Sequence, residues 1–188
     1  MTVRLFVALD LPEEVRRRIA EFSRTLRPLE PDARWLRTAS IHLTLKFIGE
    51  RPPEQVEGIR RALASVRAAP GELRFRGAGF FPDDGRPRVF WVGIEANPAL
   101  AELADGIERA LEPLGIRRES RPFVPHLTLA RLDGEKRAGA LRRAVAERGA
   151  EEFGVSVERA FHLYQSQLGP SGAQYTKLET FLFALEAP

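Results

Sequence analysis

Two stretches decide how this chain is read: SIHLTLKFIGE, residues 40–50, and FVPHLTLARL, residues 123–132. Both contain the tetrapeptide HLTL, and the chain has only three histidines, so two of them, His42 and His126, stand in identical settings. Side chains alternate across a strand. In each copy the histidine and threonine therefore share one face, and both leucines point to the other, towards a core. The pairs are His42 with Thr44 and His126 with Thr128. Two strands related by a pseudo-twofold axis would bring two imidazoles and two hydroxyls to one groove.

Around these copies the pattern alternates between strand and helix. VRLFVALDL reads as a buried strand, and PEEVRRRIAEFSRTLRPL as an amphipathic helix with Pro12 near its start. ARWLRTASIHLTLKFIGE reads as two strands separated by TAS, followed by the helix EQVEGIRRALASVRAA. ELRFRGAGFFP and PRVFWVGIEA form a hairpin across PDDGRP. PALAELADGIERALEPLG and EKRAGALRRAVAERG are helical on either side of the second HLTL strand. FGVSVERAFHLYQSQL and QYTKLETFLFAL read as long strands joined by GPSGA. Four helices among seven to nine strands, with strands often adjacent in sequence, predict an α+β fold of antiparallel or mixed sheets. Helix, HLTL strand and helix occur in that order in both halves. No linker rich in Gly, Ser or Pro separates them, so residues 1–188 are expected to form one domain of two pseudo-symmetric lobes.

Composition narrows the chemistry. Hydrophobic residues make up 44% and charged residues 29%, the balance of a folded globular protein. There is no apolar run long enough to span a bilayer, and acidic residues come too early in MTVRLFVALDLPEE for a secretory signal; a cytoplasmic protein is expected. The absence of cysteine excludes disulfides, thiolate catalysis and cysteine-bound zinc or iron–sulfur clusters. Lysine occurs only at 46, 136 and 177, the rest of the 29 basic residues being arginine. A GC-rich genome or a hot habitat favours that usage, and it also suits a surface facing phosphate.

Phosphoester cleavage needs one group to take a proton from the attacking oxygen and one to give a proton to the leaving oxygen. Imidazole serves either role near neutrality, and threonine hydroxyls two residues on can donate to non-bridging oxygens. Arg131 ends the second copy and could neutralise phosphate charge, although strict alternation puts it on the leucine side. A zinc site would need further ligands. His162, in AFHLYQS, lacks a matching neighbour, and no Asp or Glu adjoins either HLTL. No G-x-S-x-G elbow marks a serine nucleophile. Phe47, Phe80, Phe81 and Trp91 are strand aromatics, which fill cores more often than they stack on bases. Ser166 and Tyr175, near the GPSG turn, are candidates for the groove wall, and Arg86 and Arg88 lie in a turn that could meet an RNA backbone or water.

At these residues the chain resembles the 2H phosphoesterases, named for two H-x-T/S motifs, and within them the RNA 2',3'-cyclic phosphodiesterases known as LigT or ThpR, often described as 2'-5' RNA ligases. The likeness runs through RLFVALDLP, HLTLKFIGE, FFPDDGRPRVFWVG, RPFVPHLTLAR and SQLGPSGAQYTKL, nearly the whole chain. It implies a two-lobed LigT-like fold with a central groove and helices outside. It also implies hydrolysis of a terminal RNA 2',3'-cyclic phosphate to a 2'-phosphate without a metal; no cofactor is expected, and the protein is expected to be a monomer. His42, Thr44, His126, Thr128 and Arg131 match the family motif. On that basis His42 is expected to be the proton donor, His126 the proton acceptor, and Thr44, Thr128 and Arg131 the phosphate-binding residues. A small cyclic nucleotide or an ADP-ribose cyclic phosphate as substrate, and an RNA-end-binding module without turnover, are the alternatives.

Overall fold

The computed structural model describes residues 1–69, 71–133, 138–169 and 172–183. The chain opens with β1 (Val3–Leu9), whose last five residues are all buried, as expected for a strand covered on both faces. Helix α1 (Glu13–Leu26) buries a stripe of Val15, Ile19, Phe22 and Leu26, each such side chain contributing about 1.5–3 kcal/mol. It gives way to a 3-10 turn at Arg27, because Pro28 cannot donate to a continuing helix. A two-residue β2 (Arg34–Trp35) and a 3-10 turn at Thr38–Ser40 lead into β3 (Leu43–Arg51), which begins one residue after His42.

Helix α2 (Val56–Ala64) stops where the Ser65 hydroxyl donates to the Ala62 carbonyl at 2.7 Å. The hairpin of β4 (Gly71–Phe81) and β5 (Val89–Ala96) follows. Helix α3 (Pro98–Leu111) starts at Asn97, whose side chain accepts from the Ala99 amide at 3.1 Å, with Pro98 in the first turn. Then come β6 (His126–Arg131), α4 (Gly139–Arg148), β7 (Glu152–Glu158), β8 (Ala160–Gly169) and β9 (Gly172–Leu182). The expected start of the α4 helix at Glu135 lies outside the described residues.

One expectation changes. FGVSVERAFHLYQSQL is not one strand: β7 pairs with β4 in one sheet and β8 with β1 in the other, so the chain crosses between sheets at Arg159. The strand pattern runs on through both pieces, and local pattern does not reveal which sheet a strand joins.

All strand pairs are antiparallel, in sheets of order β3-β1-β8-β9 and β2-β6-β5-β4-β7. Apart from β2 the orders correspond: β3, β1, β8 and β9 take the places of β6, β5, β4 and β7. The helices exchange sides. Following the first sheet's β1, α1 packs on β7 of the second; following the second sheet's β5, α3 packs on β3 of the first. One continuous apolar core results, holding Leu5 and Leu43 from one sheet together with Phe75 and Phe90 from the other. Among the described residues no helix is long and apolar enough to cross a membrane.

Each HLTL strand carries the same irregularity. Thr44 pairs with Ala8 and Lys46 with Val7, so Leu45 is an extra residue. Thr128 pairs with Trp91 and Ala130 with Phe90, so Leu129 is likewise extra. Such a bulge buries two consecutive side chains and reverses the alternation beyond it. Leu45 and Lys46 are buried, as are Leu129 and Ala130, and the following residues, Phe47 and Arg131, are exposed.

Candidate active site

The repeat governs the histidines as well as the strands. His42 and His126 are half-buried, between buried Ile41 and Leu43 in one case and before buried Leu127 in the other. His42 Nδ1 lies 3.0 Å from the Ser40 carbonyl oxygen, and His126 Nδ1 lies 2.7 Å from that of Val124. A carbonyl only accepts, so each Nδ1 carries its proton and donates it two residues back. This leaves Nε2 on each ring as the atom that can exchange a proton with a ligand.

The turn holding His42 is fixed from α1. Arg16 donates from Nη1 to the Thr38 carbonyl at 2.9 Å and from Nη2 to the Leu11 carbonyl at 3.4 Å. Sequence reasoning missed Arg16, which looks like any charged position on an amphipathic helix. Lys46 ties the other end of the motif to α3. Its ammonium is buried, 2.8 Å from a Glu108 carboxylate oxygen, and donates to the Arg117 carbonyl at 2.6 Å.

Around His42 the first sheet builds an aromatic wall. Tyr164 lies 4.9 Å from the imidazole by ring centroids, Tyr175 5.3 Å and Phe6 6.0 Å. Tyr175 was anticipated for this wall; Ser166, its partner across β8 and β9, stands beside it in register. Burial pushes the His42 pKa below its usual value, against the Ser40 hydrogen bond and the Asp10 charge, which favour the cation. Arg16 and Lys177 add to the lowering.

The second sheet provides a sparser setting. Phe81 presents an edge-on contact to His126 at 5.0 Å and lies 5.1 Å from Trp91. The indole of Trp91 lies flat over Gly79, where an added Cβ would come within 2.5 Å of the ring. Of the four aromatics expected to fill the core, only Phe80 does; Phe81 and Trp91 are half-buried near His126, and Phe47 is 59% exposed.

Thr44 and Thr128 are half-buried beside the histidines, as alternation requires. Arg131 follows the bulge in β6 and is exposed, turned off the leucine side that strict alternation gave it. Arg86 and Arg88 are exposed in the turn between β4 and β5, whose carbonyls at Asp83 and Gly85 accept from Arg142. His162 proves to have neighbours. Its Nδ1 is 3.0 Å from the Thr180 hydroxyl and its Nε2 3.5 Å from Asp10. Asp10 itself escaped sequence reasoning, because it follows β1 rather than either motif.

Two sheets of matching order each offer a His-x-Thr strand whose imidazole is tethered through Nδ1. Comparison with known proteins places the chain among phosphoesterases. The model of the LigT like Phosphoesterase family matches the chain twice, over residues 9–91 and 92–175, and the chain belongs to that family. It is 32% identical over 185 residues to the RNA 2',3'-cyclic phosphodiesterase of Archaeoglobus fulgidus, covering 95% of this chain and 99% of that one. To the protein of the same name from Thermus thermophilus it is 38% identical over 193 residues, covering 95% and 89%. Among solved structures, TT0787 of Thermus thermophilus matches with a TM-score of 0.79 at 35% identity over 98% of this chain and all of that one. E. coli LigT complexed with 3'-AMP matches with a TM-score of 0.82 at 27% identity, covering 98% and 99%.

Proposed function

We propose that this chain hydrolyses the 2',3'-cyclic phosphate at an RNA end to a 2'-phosphate, by two-histidine acid–base catalysis without a metal. The observation that carries the proposal is the repeated tether of His42 and His126, which commits both Nδ1 atoms to carbonyls and both Nε2 atoms to proton exchange. Relatives 30–38% identical over nearly the whole chain, named RNA 2',3'-cyclic phosphodiesterase, support the substrate class.

In the proposed step, water attacks phosphorus while His126 Nε2 takes its proton. The P–O3' bond breaks as His42 Nε2 donates a proton to O3', and the phosphate stays on O2'. Thr44 and Thr128 donate to the non-bridging oxygens and Arg131 offsets their charge, which gives most where charge develops. Reversal, with an RNA hydroxyl in place of water, would make a 2'-5' linkage. It needs the second RNA end held in place, since otherwise water at about 55 M prevails. The proposal takes the protein to be one domain of two lobes, acting as a monomer in the cytoplasm.

The test is incubation with a short RNA ending in a 2',3'-cyclic phosphate, in EDTA, with the product resolved as a 2'- or 3'-phosphate. A 2'-phosphate is expected from the wild type and not from His42→Ala or His126→Ala. No turnover, or turnover only with added divalent metal, would overturn the proposal.

A further inference from the structure

The two histidines share a tetrapeptide and a tether, yet proton donor and acceptor are opposite tasks, so something outside the motif must distinguish them. Strand register identifies the difference. On β8, Tyr164 pairs with Phe6, and on β4, Phe81 pairs with Val89; Phe6 and Val89 in turn oppose the equivalent residues Phe47 and Arg131. Tyr164 and Phe81 are thus counterparts, and each meets its own histidine at nearly the same distance, 4.9 Å and 5.0 Å. Only the first has a hydroxyl. Asp10, two residues beyond Ala8, has Gly93 as its counterpart, two beyond Trp91, so the second sheet lacks the carboxylate as well.

We infer that Asp10 is a positioning residue for His42, anchoring the Tyr164 ring against the imidazole and offsetting part of the cost of burying its cationic form. The inference rests on the two-histidine reading above. Tyr164 is buried, and a buried phenol needs a partner; its hydroxyl donates to Asp10 Oδ1. Asp10 Oδ2 accepts from Lys177 Nζ at 2.7 Å. The Tyr164 ring, held at its far end, stacks on Phe6 at 5.2 Å with 13° between planes. Tyr175 closes the box, 5.0 Å from Phe6.

The charged groups around the pair are Arg16 from α1, Lys177 from β9, His162 from β8 and Glu158 at the end of β7. Arg16 and Lys177 oppose a cation on His42, and Asp10 opposes them. Burial works to raise the Asp10 pKa, but the hydrogen bonds from Lys177 and Tyr164 and the charges of His162 and Lys177 outweigh it and keep the carboxyl below its usual range. The negative charge is therefore present at any pH at which the histidines titrate.

The experiment compares Asp10→Asn, Tyr164→Phe and the double variant with wild type. It follows the His42 titration by NMR in the free protein and the pH profiles of kcat and KM on a cyclic-phosphate RNA. Asp10→Asn should move the His42 titration down by roughly half a pH unit or more. The alkaline limb of kcat should move with it, lowering kcat about 3- to 10-fold above the limb, with KM within about twofold and activity regained at lower pH. Tyr164→Phe should cost less, and the double variant no more than Asp10→Asn, since the hydroxyl acts through the carboxylate. Wild-type turnover with an unmoved His42 titration in Asp10→Asn would overturn the inference and leave the two-histidine reading standing. Absence of wild-type turnover would overturn the reading and the inference together.

Discussion

Phe47 and Arg131 occupy the same step of the repeated strand, each exposed directly after a bulge that buries the two residues before it. The backbone device is shared, while the side chains are an aromatic in one copy and a guanidinium in the other. The shared step therefore offers one apolar face and one positive charge to whatever lies between.

Arg131→Ala is expected to raise KM and lower kcat/KM about 10- to 100-fold, the worth of a charge-assisted hydrogen bond to phosphate. Arg131→Lys should recover part of this, because an ammonium supplies charge without the planar fork. Phe47→Ala should raise KM about tenfold on an RNA end and leave a base-free ribose cyclic phosphate unaffected, as loss of base stacking would. Steady-state kinetics on the two substrates checks both.

The donor and acceptor roles separate on a substrate whose leaving group needs no proton. On an RNA cyclic phosphate, His42→Ala and His126→Ala should each lose about 10²–10⁴-fold. On a nitrophenyl phosphodiester the His42→Ala loss should shrink markedly and the His126→Ala loss should persist. Equal losses on the nitrophenyl ester would refute the assignment.

The motif residues were legible in the sequence because a two-residue period puts His and Thr on one face wherever the strand sits. Element order was legible for a related reason: the stripes of α1 and α3 and the proline at the start of α1 are local. Arg131 and Phe47 were misplaced because a bulge is decided by the partner strand, which HLTLAR and HLTLKF do not encode. Asp10, His162, Tyr164 and Lys177 come from three separate segments, brought together only by the order β3-β1-β8-β9. The strand character of AFHLYQSQL was visible, but nothing local said that β8 would lie next to β1.

Lys46→Ala should destabilise the protein by about 3–5 kcal/mol, because Glu108 is left largely buried without its partner. Lys46→Met with Glu108→Leu should recover most of that by removing both charges and keeping the packing. Urea midpoints at constant m value would measure each.

Gly79→Ala puts a methyl group into the Trp91 ring and should cost about 1–3 kcal/mol as the indole lifts from the sheet. Trp91 then shifts against Phe81, the neighbour of His126. A changed tryptophan emission together with a lower kcat/KM is expected; unchanged emission would show that the sheet, and not the indole, gives way.

Stability should fall on mild acidification. Burial holds the pKa values of both His42 and His162 below the value of about 6.5 found in an unfolded chain. The unfolded chain therefore binds these protons first. Their contribution is complete above about pH 6.5, and it declines as pH falls through that value until the folded-state pKa values are passed. Asp10, whose pKa is depressed, acts lower: its contribution is present above about pH 3.9 and is lost as pH falls through its folded value. Between roughly pH 6.5 and 5 the histidines lower stability at up to about 1.4 kcal/mol per pH unit for each, while Glu158, whose pKa burial raises, acts in the opposite sense as it takes up its proton. Urea midpoints should be nearly level from pH 8 to 7 and fall below pH 6.5. His162→Gln should reduce the slope, and an unchanged slope in that variant would assign the acid sensitivity to other groups.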